Sequence, residues 1–240
     1  MSTAENDFKD AVELGKTVLY HLTKGGHQPP EFLPRARGLL FYHTTRAGLG
    51  IGIEHGRGFV ISRLPYSAAS GYLEDWSPPW FIKIDGVEWG AIAGIEKLSV
   101  CVGIMSERAL KELTTGRKIA IGSDYSIVSC LPMEYAGLHA KRAQKHPEVM
   151  FDSDLCCAAV SAAGMMVDIG LSGTVYHRDK ERTARCYGPE ATSAEILGGA
   201  VPPAPEMEEL AVAIQNASRA ALVAAFEPSH AASESEESMD

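Results

Sequence analysis

Between Gly38 and Ile104 apolar and β-branched residues alternate with small or polar ones, and glycine recurs every few positions. A period of two predicts half-buried strands, and a glycine, proline or charged pair closing each run predicts the turns. The pattern predicts strands over 38–45, 48–54, 57–64, 78–84, 87–95 and 97–105. Short glycine or charged turns between them predict hairpins, and a longer polar loop fills 65–77. Further strands are predicted over 117–122, 125–131, 155–160, 164–171 and 173–178, with a last short one at 184–187. This is the pattern of an antiparallel sheet rather than of a nucleotide-binding α/β unit.

Helical periodicity brackets the strands. Phe8, Ala11, Val12, Leu14, Val18, Leu19 and Leu22 recur near a 3.6-residue period and predict an amphipathic helix over 5–24, stopped by Gly25-Gly26. Residues 31–37 predict a short helical turn, and 192–198 another. Ser106 is placed to cap a helix through Leu113, with Glu107 in its first turn. Pro202, Pro203 and Pro205 stiffen a connector before an Ala-rich closing helix over 206–226. The Ala/Ser/Glu stretch that follows predicts disorder. The expected organisation is an N-terminal amphipathic helix and linker at 1–30, a β-rich domain at 31–200, a C-terminal helix at 201–226 and an acidic tail at 227–240.

Composition adds limits. A hydrophobic content of 45% and a mean hydropathy of −0.05 are ordinary for a globular chain of 240 residues. The net charge is −9, but Glu227, Glu234, Glu236, Glu237 and Asp240 belong to the predicted tail, so the body is only mildly acidic. That balance argues against a general nucleic-acid binder. The first residues lack the basic and apolar regions of a signal peptide, and no apolar run is long enough to cross a membrane as a helix. Five cysteines without framework spacing predict reduced thiols and a cytoplasmic protein.

Few motifs carry chemistry. Gly48, Gly50 and Gly52 invite a phosphate-loop reading, but a strand-like run follows them where a helix is required, so they read as strand glycines. The eight histidines show no ligand spacing, which predicts no metal and no cofactor. Cys156 and Cys157 are adjacent on a predicted strand and point to opposite faces. Glu54, Glu88, Glu96 and Asp168 lie within strand runs, and none is singled out as catalytic. The Trp76–Trp80 segment, rich in proline, reads either as a ligand for a proline-recognising domain or as an edge turn whose tryptophans seal the core; Phe81-Ile82 favours the second.

Basic clusters are the better candidates. One holds His139, Lys141, Arg142, Lys145 and His146; a second holds Arg178, Lys180, Arg182 and Arg185, diluted by Asp179 and Glu181; a third is Arg35 with Arg37. Such clusters read phosphorylated lipid headgroups at about 1 kcal/mol per basic residue near an anionic surface. The competing reading of each cluster is a solvated loop.

The order of features resembles the SYLF family, the Ysc84-type actin-binding domain. The matching residues are LPRARG at 33–38, Gly56-x-Gly58-Phe59-Val60, Trp76-Ser77-x-Pro79, Gly90-x-x-x-Gly94-Ile95-Glu96, GMMVDIGLSG at 164–173 and Tyr187-Gly188. The resemblance implies an α+β domain with an antiparallel, barrel-like sheet and no enzyme activity. It implies binding of phosphoinositides or phosphatidic acid at membranes and, in some members, of actin filaments during endocytosis. Relatives often carry an SH3 or FYVE domain, and this sequence shows neither. Candidate lipid-binding residues are then Lys9, Lys16, Arg35, Arg37, Lys141, Arg142, Lys145, Arg178, Lys180 and Arg182. The sequence departs from the family at Ser99, Cys130 and Asp168 and in the length of the 65–77 loop. Glu5, Asp7, Asp10 and Glu13 offset the lysines of the first helix, which makes 139–146 the stronger cluster. The expected partners are anionic membrane lipids, or filamentous actin in the alternative, at a peripheral-membrane or cortical location; a small-lipid carrier using the sheet interior is a third reading.

Overall fold

The computed structural model describes residues 3–23, 29–65, 75–114, 119–120, 127–129 and 155–226. Over 155–175 the description is of the backbone alone. Helix α1 (Thr3–Thr23) is followed by β1 (Gly38–Leu64), β2 (Asp75–Trp76), β3 (Trp80–Ile104), α2 (Glu107–Thr114), β4 (Ile119–Ala120), β5 (Ile127–Ser129), β6 (Leu155–Arg178), α3 (Lys180–Tyr187), α4 (Ser193–Leu197) and α5 (Met207–Phe226). The closing helix, the Ser106-capped helix and the turn at 31–37 lie where the periodicity places them. Ala109 N–H donates to Ser106 Oγ at 3.1 Å, and Ala36 N–H to Phe32 O at 2.9 Å. The Gly25-Gly26 stop, most of the 65–77 loop, the 139–146 cluster and the 227–240 tail lie outside the described residues.

The sheet departs from expectation in its continuity. The six short strands predicted between 38 and 105 are two long ones, of 27 and 25 residues, and the three predicted after 155 are one strand of 24. β1 pairs with β3 from Gly38↔Ile104 to Val60↔Trp80, and β3 with β6 from Ile82↔Arg178 to Ile104↔Leu155, both antiparallel. The glycines do not end these strands. They let them bend, with register slips between Leu49 and Ile51 and between Lys97 and Leu98.

How far β1 bends follows from one approach. A Cβ on Gly56 would lie 2.5 Å from His43 O, and one on Gly58 would strike Phe41 O and Tyr42. In a straight strand Phe41 and Gly58 would stand roughly 55 Å apart. The strand therefore turns back on itself, and its two halves meet backbone to backbone where glycine leaves no side chain between them.

The expected barrel-like closure is not what the described strands form. The hydrogen-bonded order is β2-β1-β3-β6-β4 and ends on two-residue strands, so the sheet is open. Five strands are antiparallel, and β5 lies parallel to β6 beside it. The class is α+β. The strand predicted at 184–187 is instead the end of α3. Asp179 caps that helix by accepting from Arg182 N–H at 3.2 Å, and Thr183 Oγ donates to Asp179 O at 2.7 Å, so the local polar bonds favour a helix over an isolated strand.

Both faces of the strand ends are buried. Odd-numbered positions (Leu39, Phe41, Phe59, Ile61, Phe81, Cys101) meet Val18, Leu19 and Leu22 of α1 and Met207, Leu210 and Ile214 of α5. Even-numbered positions (Leu40, Tyr42, Val60, Ile82, Val100, Val102) form a second cluster with Ala109 of α2 and Ile196 and Leu197 of α4. Trp76 and Trp80 are both buried, as the core-sealing reading of that segment expects.

Candidate functional site

Most of the described candidate cations are already engaged. On α1, Lys9 Nζ pairs with Glu5 Oε1 and Lys16 Nζ with Glu209 Oε2, each at 2.7 Å. Arg37 Nη1 reaches Glu107 Oε1 at 2.8 Å. Arg178 Nη2 donates to Ala191 O at 2.7 Å. Arg35 and Lys180 are exposed. Lys141, Arg142 and Lys145 lie outside the described residues.

Arg182 has a different surrounding from the one its sequence cluster suggests. It is buried, its guanidinium lies 4.4 Å from the centre of the Phe81 ring, and its Nε donates to Asp7 Oδ1 at 2.9 Å. Its Nη2 donates to Asp7 O at 3.0 Å, and Arg185 Nε donates to Asp7 Oδ2 at 2.9 Å. Asp7 is buried as well. Burial raises its pKa, but the bonds and charges of Arg185 and Arg182 together outweigh that and hold the carboxyl below its ordinary value. This triad ties α1 to α3 rather than presenting charge to solvent. Beside it, burial foremost, with the Asp7 charge adding, pushes the Cys186 thiol up to about 11 and makes it a poor nucleophile.

The amphipathic face of α1 is committed in the same way. Ala11, Val12, Val18, Leu19 and Leu22 are buried in the core. The helix therefore offers a membrane only its polar side, where Lys9 and Lys16 are paired.

Two features escaped the linear reading. The first is a cross-strand cluster. His55 Nδ1 lies 2.8 Å from Asp85 Oδ1, and His177 Nε2 lies 2.6 Å from Asp85 Oδ2. The hydrogen bonds from His55 and then His177 hold the Asp85 carboxyl below its ordinary value against a smaller opposing effect of burial. The three residues are far apart in sequence, and only strand register brings them together, His55 lying opposite Asp85. The second is a run of large aliphatic side chains left in water where the strands bend. Leu49 is 86%, Ile51 61%, Ile53 67% and Ile95 61% exposed. Their i, i+2, i+4 spacing was legible, but nothing in the sequence distinguished them from strand positions that become core.

Concave space is peripheral. An open crevice of about 570 Å³ runs between α1 and α5, lined by Lys9, Lys16, Tyr20, Glu206 and Glu209. A smaller apolar one of about 200 Å³ lies beside Trp76 at the start of α5. Among the described residues no group of three or more His, Cys, Asp or Glu side chains is placed to hold a metal ion.

Comparison with known proteins decides the family. A family model described as "Ysc84: Las17-binding protein actin regulator" matches residues 85–217, which is 133 of the 240 positions. The chain belongs to the Ysc84 family. The chain is 27% identical over 184 residues to "SH3 domain-containing YSC84-like protein 1" of Xenopus laevis, covering 76% of this chain and 50% of that protein. It is 24% identical over 183 residues to "LAS seventeen-binding protein 3" of Saccharomyces cerevisiae (strain S288c), covering 76% and 37%. "Protein YSC84" of the same yeast strain is 25% identical over 178 residues, covering 73% and 35%. This Ysc84-family chain thus spans half or less of the length of these curated relatives.

The matched region begins at Asp85 in β3 and runs through β6, α3 and α4 into α5. In this Ysc84 domain the match includes two members of the His55–Asp85–His177 cluster and both arginines that hold Asp7. No described helix is long and apolar enough to cross a membrane.

Proposed function

We propose that this Ysc84-family chain is a non-catalytic module that attaches to anionic membranes carrying phosphoinositides, in a trafficking or endocytic setting at the cytoplasmic membrane periphery. Membership of a family described as a binding protein and regulator supports the non-catalytic part of the reading, and the exposed cations support the lipid part. The fold supports it. Where the sheet ends are described, side chains fill both faces, so recognition falls to the surface. The apolar face of α1 is in the core, so attraction rests on surface cations: Lys9, Lys16, Arg35, Arg37, Arg178 and Lys180 where described, and Lys141, Arg142 and Lys145 beyond. Arg182 serves the fold in this reading.

Co-sedimentation with phosphatidylcholine vesicles, with and without a few per cent phosphatidylinositol bisphosphate, tests the proposal. The full chain is expected to pellet only with the phosphoinositide, and reversal of Lys141, Arg142 and Lys145 to Glu is expected to weaken it. A chain that stays in the supernatant at low salt ends the reading.

The family description favours a second reading, attachment to actin filaments in the cortex. Pelleting with filamentous actin at micromolar concentration supports it, and a chain left wholly in the supernatant removes it.

A further inference from the structure

The odd-numbered face of the sheet changes character at the bend. Towards the strand ends it lies under α1 and α5. At the bend it faces water, and Leu49, Ile51, Ile53, Val87 and Ile95 are all exposed on it. Register groups them: Ile53 lies opposite Val87 across β1 and β3, and Ile95 lies opposite Ala47 two residues before Leu49. Exposed aliphatic side chains clustered in this way mark an interaction surface rather than ordinary surface composition.

The charges on this face lie at the two ends of the aliphatic run. Beyond Ile53 come His55, Arg57 and, on β3, Lys83 and Asp85, with His177 of β6 opposite Lys83. Beyond Ile95 comes Lys97, with His43 of β1 nearby in register. Arg57 and Lys97 are exposed and form no ion pair among the described residues, whereas Lys83 lies 3.6 Å from Asp179 and 3.8 Å from Glu181. Lys83 is thus neutralised by its carboxylate neighbours and Asp85 is held by His55 and His177, which leaves Arg57 at one end and Lys97 at the other as the fixed charges that face water. An apolar centre with an exposed cation at either end is complementary to a bilayer with anionic headgroups. The aliphatic groups enter the acyl boundary while the cations meet the phosphates.

We infer that the bend of the long strands is the membrane-docking surface, with Leu49, Ile51 and Ile53 inserting and Arg57 and Lys97 contacting anionic headgroups. The inference rests on the proposed lipid-binding function and names the part of the molecule that performs it. It moves insertion from the N-terminal helix, whose apolar side is in the core, to a sheet surface.

Flotation of the full chain with vesicles of phosphatidylcholine, alone or with one-fifth phosphatidylserine or a few per cent phosphatidylinositol bisphosphate, tests it. The variants are Ile51→Glu/Ile53→Glu, the single Leu49→Asp and Arg57→Glu/Lys97→Glu, with thermal melts to confirm folding. Each double variant is expected to lose at least about tenfold in partitioning, since one removes two inserting aliphatic side chains and the other reverses both charges that meet the headgroups. Leu49→Asp is expected to weaken binding as well, and serves if the double variant misfolds. If wild type and all three variants float equally, the docking surface is elsewhere and the lipid-binding function stands. If the wild type floats with no anionic vesicle at low salt, the lipid-binding function itself fails. If sedimentation velocity shows a dimer that Ile51→Glu/Ile53→Glu splits, with flotation unchanged, the face covers a second copy and the inference is overturned.

Discussion

At the strand ends Leu39, Phe41, Phe59, Ile61 and Phe81 lie beneath two helices; at the bend, Leu49, Ile51 and Ile53 continue the same odd-numbered face into water. The difference is one of geometry rather than residue type. Helix α1 has 21 residues and α5 has 20, so each is roughly 30 Å long. Neither could cover a 27-residue strand laid straight, which would run about 90 Å. By turning back, β1 brings residues 39–41 beside 59–61, and one pair of helices then covers both ends. The bend falls outside that cover. An aliphatic side chain in a strand is therefore not evidence of core until the covering element is known.

Phe41 and Ile51 break that comparison most sharply. Phe41 is fully buried, 5.4 Å from the Phe59 ring centre. Phe41→Ala is expected to cost about 3–5 kcal/mol, while Ile51→Ala should stay within about 0.5 kcal/mol. Urea denaturation of the two variants measures the difference. Equal losses would mean that the bend is covered in solution.

The attachment of the cover to the sheet comes next. Asp7 pins α1 to α3 through Arg182 and Arg185, and Arg182 in turn lies on Phe81. Asp7→Ala leaves the buried Arg182 guanidinium with only the exposed Asp10 carboxylate, 3.8 Å away, and is expected to cost about 3 kcal/mol, since removing the buried partner of a buried charge leaves it poorly compensated. The pH dependence follows from the depressed pKa. Burial raises it, but Arg185 and Arg182 lower it more. The stability contributed is fully present above the unfolded-state value near 4 and is lost as pH falls through the lower folded value. Wild type should therefore lose stability more steeply than Asp7→Ala below about pH 4. The exposed Asp85, also depressed by its hydrogen bonds to His55 and His177, acts in the same direction with a smaller effect. Chemical denaturation at pH 3, 4 and 7 reads the difference, and parallel curves would show that folding leaves the Asp7 carboxyl at its ordinary value.

Particular residues show what was legible in the sequence. The stripe from Ala11 to Leu22, the Ser106 cap and the closing helix are local patterns, and the fold uses them as written. Alternation predicted the strands but half-buried ones, and the structure buries both faces of their ends, with Phe41 and Phe59 in one cluster and Tyr42 and Val60 in the other. Strand continuity was not legible, because a glycine at a turn and a glycine at a bend look alike in one dimension. Gly56 and Gly58 acquire their meaning only from His43 and Phe41, on the other half of the same strand. The engagement of Arg182 was hidden for the same reason: Asp7 is 175 residues away. The partners of Lys9, Lys16, Arg37, Arg178 and Arg182 likewise come only with the fold.

The weakest expected effect tests whether surface charge helps hold the cover in place. Lys16 on α1 and Glu209 on α5 meet at 2.7 Å, both well exposed. Their carboxylate is held below its ordinary value by the lysine's hydrogen bond and charge, but an exposed pair gains little once two long side chains are ordered and salt screens them. A double-mutant cycle of Lys16→Ala and Glu209→Ala should give a coupling of about 0.2–1 kcal/mol at low ionic strength, falling towards zero in half-molar salt. The apolar contacts of Leu210 and Ile214 with the sheet are untouched by both changes, so the helix pair should stay in place. A coupling above about 2 kcal/mol that persisted in salt would mean that charge and not burial fixes α1 against α5. The contrast between the covered strand ends and the uncovered bend would then rest on the Lys16–Glu209 pair, and removing either side chain would loosen the helices and uncover more of β1.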